Sequence, residues 1–341
     1  MARRKTAQER RLDALLRQFE PQVAKAFLEA VQAQRQAVDL AALIEALERR
    51  DIERAVQLLR MNQQALFPLT ESLRGAVIAG GQTVAATLPL TIRGQFGFGG
   101  NPRAVRAVEQ VTGKLAEILA EEATEMARQV IGLGIANGVP PRKQALDLVG
   151  RTTQGGAVRR GGFIGLDAPR AEQARKVRAM LTDPDEIARY FKGADPRYKT
   201  TDRRFDSMVR KAIAEGRALT PAQADRISEL HKARLLRNRG ETIARTETLN
   251  ALRTGQHEGF GTLVDTGLAE GMTVKWLATS DSRTRDAHRE LNGTIIAFGE
   301  LFESPTGGRL AHPGDTAHGA GPDDLIQCRC VAVYRTKKPE F

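Results

Sequence analysis

The chain has 341 residues, of which 41% are apolar and 27% charged. That length suits two domains of about 150 residues or one extended chain, with enough apolar sequence to bury a core. Its 52 basic and 41 acidic residues leave a formal charge of +11, an excess that calls for a partner or another reason. Two cysteines exclude a disulfide scaffold. No run of about 18 uncharged apolar residues offers a membrane span. Glu9, Arg10, Arg11 and Asp13 stand where a signal peptide would be apolar, so the chain is expected to be made and kept in a reducing cytosol.

Leu12, Leu15, Leu16, Phe19, Val23, Phe27 and Val31 recur at spacings of three and four, which predicts an amphipathic helix over residues 9–35. Further stripes follow at Leu40, Leu43, Ile44 and Leu47, then at Val56 and Leu59, then at Leu66, Leu69, Leu73 and Val77. Gly80-Gly81 and the glycine-rich run Arg93–Pro102 are expected to interrupt helix and form a joint. A long stripe from Val105 to Val130 stops near Gly138 and Pro140-Pro141. Residues 150–168 read as a loop, and 169–182, 202–216 and 220–256 as helix, the last opened by Thr220-Pro221 and kinked or broken at Gly240.

After Gly259 the period changes. Thr273–Leu277, Thr294–Phe298 and Ile326–Tyr334 alternate like strands, with a short helix from Asp281 to Leu291 between the first two. The predicted fold is therefore mainly α, with an elongated helical N-terminal region and a small C-terminal α+β module. Three consecutive regions are expected: residues 1–100, helical with a basic tail; 101–256, helical; and 257–341, the α+β module.

Two basic clusters stand out. Residues 1–18 hold Arg3, Arg4, Lys5, Arg10, Arg11 and Arg17 against two acids, and residues 142–178 hold nine bases, Arg159 and Arg160 among them, against three acids. Such clusters attract phosphates without sequence preference, although a charge run is also an ordinary solvated face. No helix-turn-helix, zinc finger or aromatic platform accompanies them, and none of the HExxH, Walker A, GxSxG or kinase motifs occurs. Arg245-Thr246-Glu247 reads as helix surface, with Arg245 ion-paired to Glu241 one turn away.

The densest chemistry is C-terminal. Helical spacing puts Asp281, Arg285 and His288 on one face, and a strand at Cys328-Arg329-Cys330 sends both thiols to one side. His288, Cys328 and Cys330 are zinc-type ligands, with Asp281, His312 or His318 as a fourth. The alternative is a plain core in which both cysteines are small apolar residues and His288 bonds a loop carbonyl.

Ile243–Thr248, Lys275–Thr279 with Trp276, Asp281-Ser-Arg-Thr-Arg285-Asp-Ala-His288, Leu291-Asn-Gly293, Pro313-Gly-Asp315 and Cys328-Arg-Cys330 occur in that order. Together they resemble the bacteriophage Mu F-like minor head protein family, also called phage head morphogenesis, over roughly residues 140–335. Gly161–Leu166 is similar to a segment of the same family. Gln327 stands where that family usually has Asn; both are neutral amides, so the strand is expected to persist. The resemblance implies a non-enzymatic minor structural protein of a tailed-phage head, acting in head assembly and DNA packaging or delivery. It implies the portal protein, the major capsid protein and packaged DNA as partners, no membrane before infection, and a place in the virion head after assembly in the host cytoplasm. A metal-dependent nuclease built on His288, Asp281 and the cysteines, and a plain nucleic-acid-binding protein, are the alternatives.

Overall fold

A computed structural model describes residues 5–152, 158–192, 201–279 and 281–336. Helices α1 (Ala7–Ala37), α2 (Leu40–Glu48), α3 (Ile52–Leu59), α4 (Gln63–Gln82), α5 (Leu90–Arg93), α6 (Pro102–Ala136) and α7 (Pro141–Val149) come first. Strands β1 (Arg151–Thr152) and β2 (Arg159–Arg160) form a minimal antiparallel pair, followed by α8 (Ala168–Leu181), α9 (Arg203–Ala214) and the 45-residue α10 (Pro221–Asp265). The C-terminal part holds β3 (Thr273–Leu277), α11 (Asp286–Glu290), β4 (Ile295–Ala297), β5 (Phe302–Glu303), β6 (Arg309–Leu310), α12 (Pro322–Leu325) and β7 (Val331–Arg335). The fold is mainly α with a small C-terminal α+β module, as the change of period predicts. Among the described residues, no helix is long and apolar enough to cross a membrane.

Helix starts follow from side-chain caps. Asp39 accepts hydrogen bonds from the Ala41 and Ala42 amides, Asp51 from Arg54, and Asp167 from Arg170. Thr220 and Gln223 form a reciprocal capping box at the start of α10, their backbone amides and side chains bonded at 3.1 and 3.4 Å. The helix then runs through Gly240 without the expected break.

The chain gathers into two units. Unit 1 comprises Met1–Phe27, Phe67–Glu117 and Glu241–Phe341; unit 2 comprises Leu28–Leu66 and Ile118–Gly240. Regions bounded at 100 and 256 therefore do not coincide with the units, because α1, α6 and α10 are each long enough to contribute to both. The glycine-rich stretch expected to be a joint lies inside unit 1, anchored by Phe98, which is buried over Gly81.

In unit 1, α4 and α10 meet backbone to backbone. Gly80 faces the Leu252 carbonyl and Gly255 the Val77 carbonyl, with no room for a Cβ at either position; a Cβ at Gly259 would lie 2.9 Å from the Gly81 carbonyl oxygen. Gly80-Gly81 thus stays helical and serves as a contact surface, which explains why the expected interruption is absent. The sheet has the order β4-β3-β7, all antiparallel, with Trp276 paired to Ala332. Its inner face joins Val274, Trp276, Ala332 and Tyr334 to Phe260 and Leu263 of α10 and to Phe302 and Leu310. Tyr334 stacks on Phe260 at 4.3 Å between ring centroids. The backbone of Tyr334 also meets the side chain of Gln8 in α1, across 326 positions of sequence.

In unit 2, a core of Leu181, Ile187, Tyr190, Phe205, Val209 and Ile227 ties α8 and α9 to the first turns of α10. The Tyr190 hydroxyl accepts from the Asp202 amide at 2.7 Å. Buried Arg35 donates to the Ile164 carbonyl at 2.7 Å, and buried Arg239 to the Gly165 carbonyl and to Glu122, so the Gly161–Leu166 segment is fixed from below by two guanidinium groups. His231 is buried with neither ring nitrogen hydrogen-bonded.

Two outcomes follow for stability. Gly255→Ala in the helix contact is expected to cost at least about 2 kcal/mol by forcing backbone apart, whereas Gly113→Ala, in α6 with open space around it, gains about 0.5–1 kcal/mol from helix propensity; chemical denaturation of both variants checks the contrast. Burial, with Arg234 adding to it, lowers the His231 pKa to about 4. The neutral ring therefore supports folding above the ordinary histidine value near 6.5, and that support is lost as pH falls from there to about 4, a change on the order of 3 kcal/mol. His231→Leu should flatten the pH dependence of unfolding in that window, read from denaturation midpoints at a series of pH values.

Candidate metal centre

Chemistry in the C-terminal module is arranged by turns more than by regular elements. Residues 281–285 are not helical, so Asp281, Arg285 and His288 do not share a helix face as their spacing predicts. Asp281 instead folds the chain back on itself, accepting the Arg283 amide at 2.9 Å, while its backbone carbonyl accepts the Thr284 amide. Its carboxylate binds both terminal nitrogens of Arg329, and that guanidinium holds the Asp281 carboxyl well below the usual carboxylate range. Arg285 starts α11 and donates to the Ile326 carbonyl at 2.6 Å.

His288, in α11, is buried with Trp276 packed edge-on against its ring at 5.6 Å. Trp276 in turn packs edge-on against Phe302 at 5.2 Å. Cys328 and Cys330 lie just before β7 and not in a strand, yet the expected alternation holds: both are buried and Arg329 between them is partly exposed. Both sulfurs turn to the same atom. His288 Nδ1 lies 3.8 Å from Cys328 Sγ and 3.5 Å from Cys330 Sγ, and the three donor atoms fall within 4.8 Å of one another.

The far nitrogen, Nε2, lies 3.2 Å from Oδ1 of Asp324 in α12. Asp324 is completely buried, and its carboxylate also accepts from Ser304 Oγ at 2.8 Å and Thr306 Oγ1 at 2.5 Å. Three hydrogen bonds are what make a buried carboxylate tolerable there. With the proton held on Nε2 by Asp324, the Nδ1 lone pair faces the two sulfurs. His288 therefore bonds a carboxylate, not the loop carbonyl expected of a plain core.

The electrostatics are shared across the group. Burial alone would lower the His288 pKa, but Cys328 and Asp324 outweigh it and carry the ring above its ordinary value. The Cys328 thiol is pushed well down, chiefly by the hydrogen bond with Cys330 against the opposing burial, with His288 and Arg253 adding to it. The same hydrogen bond, together with burial, pushes Cys330 up. The pair gives up its first proton readily and resists losing the second. Arg253 of α10, itself buried, donates to the Cys328 carbonyl at 3.1 Å and the Pro313 carbonyl at 3.4 Å.

None of the expected fourth ligands joins the cluster. Asp281 is committed to Arg329. His312 is bonded through Nε2 to Thr254 at 3.4 Å and through Nδ1 to the Pro313 carbonyl at 3.2 Å, and His318 through Nδ1 to Asp315 at 2.6 Å. Asp324 and Arg253 were not singled out from the sequence; the acidic pair after Gly321-Pro322 was the available signal for the first.

The basic clusters are more neutralised than their composition suggests. Arg3 and Arg4 lie outside the described residues. Lys5 pairs with Asp13, and Arg10 donates to the Lys5 carbonyl at 2.6 Å, while Arg11 is partly exposed. In the second cluster Arg151, Arg170 and Arg175 pair with Asp147, Asp167 and Glu172, and Arg178 with Asp225. Arg159 donates to the Gly150 carbonyl at 3.3 Å and Arg160 is exposed beside it on β2. Arg245 pairs with Glu20 at 2.8 Å and not with Glu241, because α1 offers it a carboxylate.

Residues 203–333 match the family described as phage Mu protein F like protein. The C-terminal part of this chain is thus similar to that family. Every residue of the His288 cluster falls within it, whereas Gly161–Leu166 and the rest of residues 140–202 lie upstream of the match. The minor head protein GP7 of Bacillus phage SPP1 is 41% identical over 63 residues, 18% of this chain and 20% of that relative. The matched stretch thus spans about a fifth of the curated relative's length. No solved structure matches the chain.

Within the Mu F-like region, Gln327 has φ of 52°, a left-handed backbone, and its amide donates to Thr246 Oγ1 at 3.1 Å. It belongs to a turn, not to the strand expected there. Asn visits that conformation more readily than Gln, which gives a physical reason for an asparagine at this position. Gln327→Asn is expected to raise stability by about 0.5–1 kcal/mol, part of the cost of a left-handed residue, seen as a higher denaturation midpoint with an unchanged slope.

Proposed function

We propose that this protein is a minor structural component of a tailed-phage head, acting without catalysis in head assembly and in packaging or delivery of DNA. The observation that carries the reading is the Mu F-like match over residues 203–333, which contains the whole buried cluster around His288. The short, strong identity to a minor head protein supports it. In this reading the portal protein and the major capsid protein are its partners, it is assembled in the host cytoplasm, and it resides in the virion head without meeting a membrane before infection.

The nuclease alternative asks for ligands that a substrate can approach. His288, Cys328 and Cys330 are each 2% exposed, which suits a structural role and gives a phosphodiester no path to them. Nonspecific contact with packaged DNA fits the positive balance, carried in this reading by the N-terminal Arg3, Arg4, Lys5, Arg10 and Arg11 and by Arg159 and Arg160. Pairing within the second cluster narrows its contribution to Arg142, Lys143, Arg159 and Arg160, which have no ion pair among the described residues.

Two measurements test the proposal. Mass spectrometry of purified particles from a producing host should find the protein at low copy beside the portal, and its absence from particles overturns the reading. DNA affinity should fall steeply with salt, and replacing Arg142, Lys143, Arg159 and Arg160 by Gln should reduce the logarithmic salt slope by up to about 3.6, at about 0.9 per phosphate contact. Salt-insensitive binding removes DNA from the list of partners.

A further inference from the structure

Two thiols and one imidazole nitrogen that converge on a common point need a reason to do so. A neutral imidazole presents a single lone pair at Nδ1, and that lone pair can accept one S–H hydrogen bond well, not two. Both sulfurs nevertheless sit at similar distances from it, 3.5 and 3.8 Å. Zinc bonded tetrahedrally to sulfur at about 2.3 Å and to nitrogen at about 2.05 Å requires sulfur–nitrogen edges of about 3.6 Å. The observed edges bracket that value.

The surroundings match the same chemistry. A carboxylate on the far nitrogen of a ligating histidine fixes its tautomer and raises its basicity, and Asp324 holds Nε2 of His288 at 3.2 Å while Ser304 and Thr306 hold Asp324. Nearby, the Thr279 hydroxyl donates to the Arg329 carbonyl at 3.0 Å and the buried Arg253 guanidinium to the Cys328 carbonyl at 3.1 Å, so the cysteine turn is held on both sides. The donors come from two separate pieces of chain, α11 and the turn after α12. Both elements are short, α11 having five residues and α12 four, so apolar packing draws them together without fixing where the three donor atoms point.

We propose that Cys328 Sγ, Cys330 Sγ and His288 Nδ1 bind one zinc ion, with Asp324 buttressing the imidazole. Binding releases the two thiol protons to solvent and leaves the Nε2 proton on its bond to Asp324. The ion is structural: it clamps the cysteine turn to α11 beneath Trp276. The assignment holds whether or not the protein is a component of a phage head.

The test uses the full chain, purified without added metal and analysed for zinc by mass spectrometry, then stripped with chelator and titrated with cobalt(II). Zinc in one-to-one ratio, a thiolate-to-cobalt charge-transfer band with the strong visible bands of four-coordinate cobalt, and a chelator-induced drop in melting temperature are expected. Cys328→Ser and Cys330→Ser should each lose most of the charge-transfer intensity. Asp324→Asn should keep the band at saturation but weaken metal affinity about 10–100-fold. Should the cysteine variants fail to fold, the wild-type titration, followed in parallel by circular dichroism, decides alone. A folded wild-type chain without zinc, without a charge-transfer band on cobalt addition, and with both thiols equally reactive in the presence and absence of zinc overturns the proposal. Unchanged metal affinity in Asp324→Asn overturns the buttress.

Discussion

Unit 1 depends on the approach of α4 to α10. At Gly80 and Gly255 each backbone touches a carbonyl of the other helix, so neither helix can rotate about its axis without opening a gap or creating an overlap. That contact fixes which residues of α10 point elsewhere, and four of them hold the C-terminal module. Thr246 receives the Gln327 amide, Arg253 reaches the Pro313 and Cys328 carbonyls, Thr254 meets His312, and His257 bonds the Tyr334 hydroxyl at 3.1 Å. A small sheet of three strands has little stability of its own. It is held here because a rigid helix presents polar groups at matching heights.

The polar interior of that module is densely paired around its buried carboxylates, while Nε1 of Trp276 beside them is buried without a hydrogen-bond partner. Asp324 and His288 are buried at full pairing, and Asp315, also buried, accepts from the Ala311 and Ala317 amides at 2.7 and 2.8 Å as well as from His318. Buried carboxylates in this state contribute directionality more than net stability, since each costs desolvation that its hydrogen bonds only offset. Apolar packing by Trp276 and Phe302 supplies the driving force around them. Together they make a module in which short, irregular segments hold one arrangement.

Much of this was legible from residues alone. Periods of three and four located α1 through α4, α6 and α8 to α10, and the switch to alternation after Gly259 located β3 to within a residue. The grouping of His288 with the two cysteines was visible as a set of ligand types. What periodicity could not show was long-range choice. Gly80-Gly81 has the composition of a break, and only the opposing helix reveals it as a contact. Asp281 has helical spacing to His288, but Arg329, 48 positions later, draws it into a turn. Arg245 had Glu241 one turn away and paired with Glu20 instead. The interleaved division of the chain into units was equally hidden, since it depends on which helices are long enough to serve two cores.

That interleaving has a temporal meaning. Proteins emerge from the ribosome N-terminus first, and domains generally fold as they become complete. All of unit 2 lies before Glu241, so it can close while the C-terminal hundred residues are still being made. Unit 1 cannot: its first helix waits for β7, whose Tyr334 is the backbone partner of Gln8. Phe19 of α1 can settle against Gly75 of α4 early, but the start of the helix lacks its backbone partner until the last strand is made. The order of synthesis thus makes the start of α1 one of the last pieces of unit 1 to be secured.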